Sequence, residues 1–243
     1  MNNNWVSQIK NHRKKVYSQC GEEGFIEFIL QNIGVDPTKM TVVEFGAGDG
    51  VGLSNSEYFR LQGASCLRFD GDPKGSSSVN QLWLNHDEVK HIAITCNVTK
   101  NCDVLMVDVD GNDYWFIKTF LETIDKKPSL VVCEINPIFK RYESFIMPYN
   151  ETHTWQNNDY YGMSLSAIEN LMSRLKYTVV FVNDSLNAYF VPTKLVEGAE
   201  PEISYRQKQD HPHDGKSLWY QDDMPFHEKE TNYHLTAYPP SKY

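Results

Sequence analysis

The feature that most constrains this chain is a series of short, continuously apolar runs separated by stretches of helical periodicity. The runs are Thr41–Phe45, Ser65–Phe69, His91–Cys96, Asp103–Val107, Leu130–Ile135, Thr178–Val182 and Ala188–Val191. Strands buried on both faces of a parallel sheet read this way, apolar throughout rather than alternating. Helices are expected between them at about 54–62, 76–85, 112–124 and 164–176. The first of these opens on Ser54 with Glu57 three residues on and closes at Gly63. Strand and helix in alternation predict a doubly wound, Rossmann-like α/β sheet with helices on both faces. Only Asn183–Asn187 separates the last two runs, too little for a parallel crossover, so they are expected to form a terminal antiparallel hairpin. Six residues lie between Cys96 and Asp103, about half of what a parallel crossover needs. A shortened region between strands 3 and 4 is therefore expected.

Three segments follow from this pattern. Residues 1–37 carry one amphipathic helix, with Glu22 and Glu23 in its first turn, Phe25, Ile26, Ile29, Leu30 and Ile33 on one face, and Gly34 as its stop. They are expected to pack on the core domain, residues 38–192. Residues 193–243 lose the periodicity but keep Tyr205, His211, His213, Trp219, Phe226 and Tyr238, too aromatic for a free tail, and read as an extension or lid. The 243 residues carry a formal charge of −9, which speaks against duplex nucleic acid, where cationic side chains supply most of the affinity. No apolar stretch approaches the roughly 18–20 residues of a membrane span, and the N-terminus has no signal-peptide pattern. Five cysteines without a C-x-x-C pair suit reduced thiols, so a cytoplasmic protein without a membrane partner is expected. The sequence leaves a homo-oligomer open.

Chemistry concentrates first at Glu44-Phe45-Gly46-Ala47-Gly48-Asp49-Gly50, between a strand and a helix. Glycines at such a turn allow tight backbone angles and let a ligand lie against bare main chain. Asp70 ends the next strand, 20 residues after Gly50, where a carboxylate can accept both hydroxyls of a ribose. A dinucleotide site has GxGxxG facing a pyrophosphate; here the spacing is GxGxG, preceded by Glu44. That carboxylate repels phosphate but can accept from a ligand's ammonium. A nicotinamide-dependent oxidoreductase is thereby disfavoured.

At these residues the sequence resembles the class I S-adenosylmethionine-dependent methyltransferases, and more narrowly their FkbM-type branch. The narrower resemblance rests on Ser18–Gly24, Phe69–Asp72, Val107–Tyr114, Glu134–Pro137, Tyr161–Leu165 and Asn187–Val191, and covers about residues 15–192. It implies a seven-stranded sheet and S-adenosylmethionine as cofactor. Glu44, Gly46, Ala47, Gly48 and Gly50 would hold the methionine part, and Asp70, beside Gly71, the ribose. Asp108 would lie at the cofactor too, and Asn97 is the candidate on the adenine side. The family methylates hydroxyl groups of small molecules and sugars, which makes a small-molecule or glycan acceptor the expected partner.

A second constellation, Asp108, Asp110, Asn112 and Asp113 with Glu134 and Asn136, follows the fourth and fifth runs. Ligands of open α/β sheets sit outside the carboxyl ends of the strands, so these oxygens should converge. Hard oxygens suit Mg²⁺ or another divalent cation. Metal-dependent O-methyltransferases hold such an ion with comparable residues, and that analogy points to Asp108, Glu134 and Asn136; the alternative is a hydrogen-bonding ring without metal. Asp108 and Asp110 are candidates for activating the acceptor, and His153, His211 and His213 are possible bases. The loop Ile138–Tyr161 carries Lys140, Arg141, Trp155, Tyr160 and Tyr161, which suit a sugar and its phosphate. The rival to a methyltransferase is a non-catalytic Rossmann-like binding protein that acts through its aromatic C-terminal extension.

Overall fold

The computed structural model describes residues 3–99, 101–199, 201, 203–208 and 219–221. After a 3₁₀ segment, Asn3–Asn11, the chain forms α1 (Glu22–Asn32), β1 (Thr41–Phe45), α2 (Glu57–Leu61), β2 (Ser65–Asp70), β3 (Asn80–Gln81), α3 (His86–Thr99) and β4 (Val104–Val107). It continues with α4 (Asp113–Thr123), β5 (Leu130–Glu134), β6 (Phe145–Ile146), α5 (Leu165–Arg174), β7 (Tyr177–Asn183), β8 (Asn187–Pro192) and β9 (Tyr220–Gln221). Seven strands form one sheet in the order β3-β2-β1-β4-β5-β8-β7. All neighbours are parallel except β8, which runs against both β5 and β7. This is a Rossmann-like, mostly parallel α/β sheet with the expected reversed hairpin at its end. Among the described residues no helix is long and apolar enough to cross a membrane.

Strand residues alternate between two cores, as the pleat requires. Val42, Val104, Met106 and Val132 pack with Val6, Ile9, Phe25, Ile26, Ile29, Leu30 and Phe59, from the 3₁₀ segment, α1 and α2. Val43, Phe45, Leu105, Val107 and Val131 pack with Val89, Ile92, Phe116, Phe120, Ile168 and Leu171, from α3, α4 and α5. Both faces of the central strands are buried, which is why their sequences are apolar without alternation.

Two expectations fail together. The run His91–Cys96 lies inside α3, and the segment 76–85, expected to be helical, holds β3 instead. Val89, Ile92, Ala93 and Cys96 are buried at helical spacing, while Ile94 is 46% and Val98 82% exposed. The β-branched content of the run is thus overridden by burial of one helical stripe. Asn85 caps the helix, accepting from the Glu88 amide at 2.9 Å. The crossover between strands 3 and 4 is therefore a full helix and not a shortened link. The short connection lies between β2 and β3, residues 71–79. It suffices because β3 pairs only with Phe69 and Asp70 at the end of β2, so the link retraces two residues, about 7 Å. Helix α2 starts three residues later than expected: Ser54 Oγ accepts from the Glu57 amide at 3.2 Å, but the Glu57 carboxylate turns to Arg60 and Arg68.

Candidate functional site

The strand order reverses between β1 and β4, since the chain builds outward through β2 and β3 and then returns to β4. Such a switch point leaves a crevice at the strands' carboxyl ends. A cavity of about 790 Å³ opens there, a size that accommodates a cofactor with an acceptor. Its floor is the turn after β1. Gly46 has φ +83°, and a Cβ on it would lie 1.6 Å from the Asp108 carbonyl oxygen, so only glycine lets these two strand ends meet. Gly48 donates its amide to Asp70 Oδ2 at 2.8 Å, and the Asp72 amide donates to Asp70 Oδ1 at 2.8 Å. Asp70 thus fixes two loops and keeps lone pairs on both oxygens for hydroxyls in the cavity.

Gly46, Ala47, Gly48, Asp70, Gly71 and Asp108 line the cavity. Glu44 does not. It is 2% exposed and points to the α2 side, where it accepts from Ser54 Oγ (3.0 Å), the Asn55 amide (2.8 Å) and Ser56 Oγ. Burial raises its pKa against those hydrogen bonds. Its role is to shape the loop after the glycine turn. Gly50 also lies outside the lining, its carbonyl taken by Arg68 Nη1 at 2.6 Å. Asn97, on α3, does not line the cavity and accepts from the Asp125 amide at 2.9 Å. The residues that follow β3 are Leu82, Trp83 and Leu84, and these line the cavity where Asn97 was expected. Asn85, followed by Glu88, is the sequence signal that separates them from the helix. Trp83 packs over Gly71, where a Cβ would come within 2.6 Å of its ring, and donates to the Glu151 carbonyl at 2.7 Å.

Beside the glycine turn, where β4 and β5 end, stand Asp108, Asp110 and Glu134, each with one oxygen within 4.8 Å of the others. Burial, reinforced by the Asp110, Asp113 and Glu44 carboxylates, pushes Asp108 well above the ordinary range. Burial does the same to Glu134, followed by Asp108, Asp110 and Asp113. Asp110 is pushed up to about 6 by burial, Asp113 and Asp70. The loop that carries Asp110 is tied down by Asp113, which accepts from the Val109 and Gly111 amides at 2.9 Å each. Asn136 does not join this cluster. Its Nδ2 donates to the Asp159 and Tyr161 carbonyls at 2.8 Å and its Oδ1 accepts from the Ile138 amide at 3.1 Å, so its carboxamide holds the following loop together.

His153 lines the cavity and contacts the Asp110 carbonyl through Nε2 at 3.1 Å. A carbonyl only accepts, so Nε2 carries the proton and Nδ1 the lone pair. Burial lowers the His153 pKa, outweighing the bond to Asp110, which keeps the ring neutral near pH 7. Asn112 clamps the loop that bears it: Nδ2 donates to the Asn150 carbonyl (2.8 Å) and Oδ1 accepts from the Asn150 amide (3.1 Å). The His153 amide donates to the same carbonyl at 3.0 Å. His211 and His213 lie outside the described residues.

Trp155 and Tyr161 stand in the wall, whereas Arg141 is held by Glu169 in a two-bonded pair (2.6 and 2.8 Å) and neither it nor Lys140 lines the cavity. Among the described residues, Lys74 and Lys208 are the lysines that line the cavity. The Lys208 amide donates to the Pro137 carbonyl at 2.8 Å, and Trp219 is buried against Phe139 and Tyr160, so described parts of the C-terminal extension rest on the loop beside the cavity. In α4 Tyr114 and Lys118 have the Tyr-x-x-x-Lys spacing of a nicotinamide-dependent dehydrogenase pair, but Tyr114 is buried beside Arg174 and Lys118 pairs with Glu122, and neither lines the cavity.

No family model matches the sequence. No curated protein matches it either. Solved structures do. One, described as a hemolysin from Lactococcus lactis, has 12% identity and a TM-score of 0.40 over 74% of this chain and 88% of its own. A fibrillarin/Nop5p complex has 10% identity and a TM-score of 0.37 over 64% and 72%. Coclaurine N-methyltransferase, bound to N-methylheliamine and SAH, has 13% identity and a TM-score of 0.27 over 58% of this chain and 44% of its own.

Proposed function

We propose that this chain is an S-adenosylmethionine-dependent methyltransferase that methylates a hydroxyl of a small polar acceptor, such as a sugar or glycan precursor. One observation carries the reading. A single cavity brings together the glycine turn, Asp70, the carboxylates that follow β4 and end β5, and His153. The residues fit the cofactor: main chain is bare at Gly46 and Gly48, Asp70 has lone pairs to spare for a diol, and Leu82, Trp83 and Leu84 offer an apolar wall for a base. When bound, S-adenosylmethionine supplies a methyl on a sulfonium, an electrophile that needs in-line approach of an oxygen nucleophile.

The chain's own task is then to hold the acceptor and take its proton. Trp155 and Tyr161 provide faces for a sugar ring, and the carboxylates accept from its hydroxyls. His153, neutral with Nδ1 unprotonated, would take the proton of the hydroxyl to be methylated. Five unpaired cysteines support a reducing, cytoplasmic setting. The enzyme reading is preferred to a binding protein acting through its tail, because Trp219 is spent on this chain's own loop.

Titration calorimetry with S-adenosylmethionine, and separately with NADH, tests the proposal. Binding of the first alone is expected, and Asp70→Ala should weaken it at least about tenfold, roughly 1.4 kcal/mol. Unchanged affinity in that variant would remove the ribose assignment, and no binding by wild type would remove the methyltransferase reading.

A further inference from the structure

Two buried acceptors in the cavity wall have no donor. Strands β5 and β8 pair antiparallel with Glu134 opposite Asn187, so the two side chains stand as neighbours on one face of the sheet. Both line the cavity, although Glu134 is only 9% and Asn187 3% exposed. Glu134 Oε2 and Asn187 Oδ1 each lack a hydrogen-bond partner. The orientation of Asn187 is set from behind. Glu22, fully buried in the first turn of α1, accepts from the Cys20 amide (2.7 Å), Asn183 Nδ2 (2.9 Å) and Asn187 Nδ2 (3.0 Å). A carboxylate only accepts, so Glu22 takes the NH₂ of the Asn187 carboxamide and leaves Oδ1 for the cavity. In the sheet order β1-β4-β5-β8, Asn187 stands three strand spacings, about 14 Å, from the turn after β1. Asn136 donates to the Tyr161 carbonyl at 2.8 Å, which ties the aromatic wall to the end of β5 instead.

A wall of this kind fits a ligand that donates. A hydroxyl brings one hydrogen and can serve one of the two oxygens, whereas an ammonium brings three and a positive charge. That charge is what the surroundings lack. The charges that act most on Glu134 are those of Asp108, Asp110 and Asp113. Both lining lysines are turned elsewhere, Lys74 to the Asp72 carboxylate and Lys208 to the Asp184 carbonyl. Charge-assisted bonds to both oxygens offset the desolvation of an ammonium there.

We propose that Asn187 Oδ1 and Glu134 Oε2 form a niche for an ammonium group of the methyl acceptor, which makes that acceptor an amino sugar rather than a neutral one. Glu22 is a positioning residue, acting through the carboxamide that it orients. The inference rests on the methyl-transfer reading for its role and narrows the acceptor class; the niche itself does not depend on the cofactor.

The test uses the full chain at pH 6.5 and three related sugars: glucosamine, whose amine is protonated there, glucose, and N-acetylglucosamine, whose nitrogen carries no charge. Saturation-transfer NMR titrations give each Kd. Glucosamine is expected to bind at least about tenfold tighter than either neutral sugar, the scale of a hydrogen bond to a charged group. Asn187→Ala and Glu134→Gln should each remove most of that preference. Asp72→Asn, at an exposed carboxylate of the same cavity that follows β2, should leave it within about twofold. Circular dichroism checks that the variants fold, and the wild-type comparison of the three sugars stands without them. Equal binding of the three sugars, or no saturable binding of glucosamine up to tens of millimolar, overturns the niche, and so does a preference that survives in both Asn187→Ala and Glu134→Gln. Displacement of glucosamine by S-adenosylhomocysteine, which has the cofactor's amino acid end, would assign the two oxygens to the cofactor's ammonium and overturn it too. Parallel titration with S-adenosylmethionine separates the two ideas: cofactor binding without a glucosamine preference sinks only the niche, and the preference without cofactor binding sinks only the methyltransferase reading.

Discussion

Arg68 is fully buried on β2, and its removal should slacken the glycine turn. Its Nη1 donates to the Gly50 carbonyl at 2.6 Å and to Glu57 Oε2 at 2.7 Å, and its Nε donates to the Ser78 carbonyl at 3.1 Å. One side chain therefore joins the end of the glycine turn, helix α2 and the link to β3. In Arg68→Met the volume is nearly kept but both carbonyls lose their donor. A buried polar group left unsatisfied costs about 1–3 kcal/mol, so the pair contributes roughly 2–6 kcal/mol. Breaking a buried ion pair costs about 3–5 kcal/mol when a charge is orphaned. Here Glu57 is not orphaned, because Arg60 reaches it with two bonds, at 2.8 and 2.9 Å, and holds its pKa below the ordinary value. Loss of Arg68 Nη2, which is buried without a partner, gives back part of the cost. The expected destabilisation is about 2–4 kcal/mol, a melting temperature lower by roughly 4–16 °C for a chain of this size. Urea unfolding at pH 7.5 with an unchanged m-value measures it, and S-adenosylmethionine affinity should fall in parallel. A loss under about 0.5 kcal/mol, the scale of an ordinary surface substitution, would refute the view that Arg68 anchors the turn.

Gly46→Ala combines a left-handed backbone with a Cβ placed 1.6 Å from the Asp108 carbonyl, and should destabilise by about 2–5 kcal/mol and abolish cofactor binding; thermal melts and calorimetry check both. Asn112→Ala removes both bonds to the Asn150 backbone and should cost about 1–3 kcal/mol while speeding hydrogen exchange at the Asn150 amide; slow exchange would show that the clamp is dispensable. In EDTA, stability should fall as pH rises from about 4 to about 6, because Asp110 holds its proton in the folded chain to about 6 and releases it near 3.9 when unfolded. That shift corresponds to up to about 3 kcal/mol, present below the unfolded value and lost through the folded one; urea midpoints across this range that rise in wild type relative to Asp110→Asn would contradict the sign. Asp108→Asn should keep the fold and abolish turnover, and retained methyl transfer would move the chemistry elsewhere.

The central strands were legible because each is apolar on both faces, a property written residue by residue into Val42–Phe45 or Val131–Cys133. The glycine turn and Asp70 were legible for a similar reason: backbone freedom and a carboxylate at a strand end are local needs, met at fixed spacing. Helix α3 is not legible locally, because His91–Cys96 holds β-branched residues whose preference is weak, and burial of Val89, Ile92, Ala93 and Cys96 on one stripe prevails. Strand β3, two residues long, has almost no pattern of its own and exists through its pairing with the end of β2. Polar side chains were the hardest to place, since a carboxylate or carboxamide serves whichever partner the fold brings near. Glu44 turned to the α2 loop, Asn97 to Asp125 and Asn136 to the carbonyls of residues 159 and 161, while Asp110 joined Asp108 and Glu134. Local residue choice determined the sheet and its glycine turn; the grouping of carboxylates from β4 and β5, over 20 residues apart in the chain, was decided only when the two strands paired.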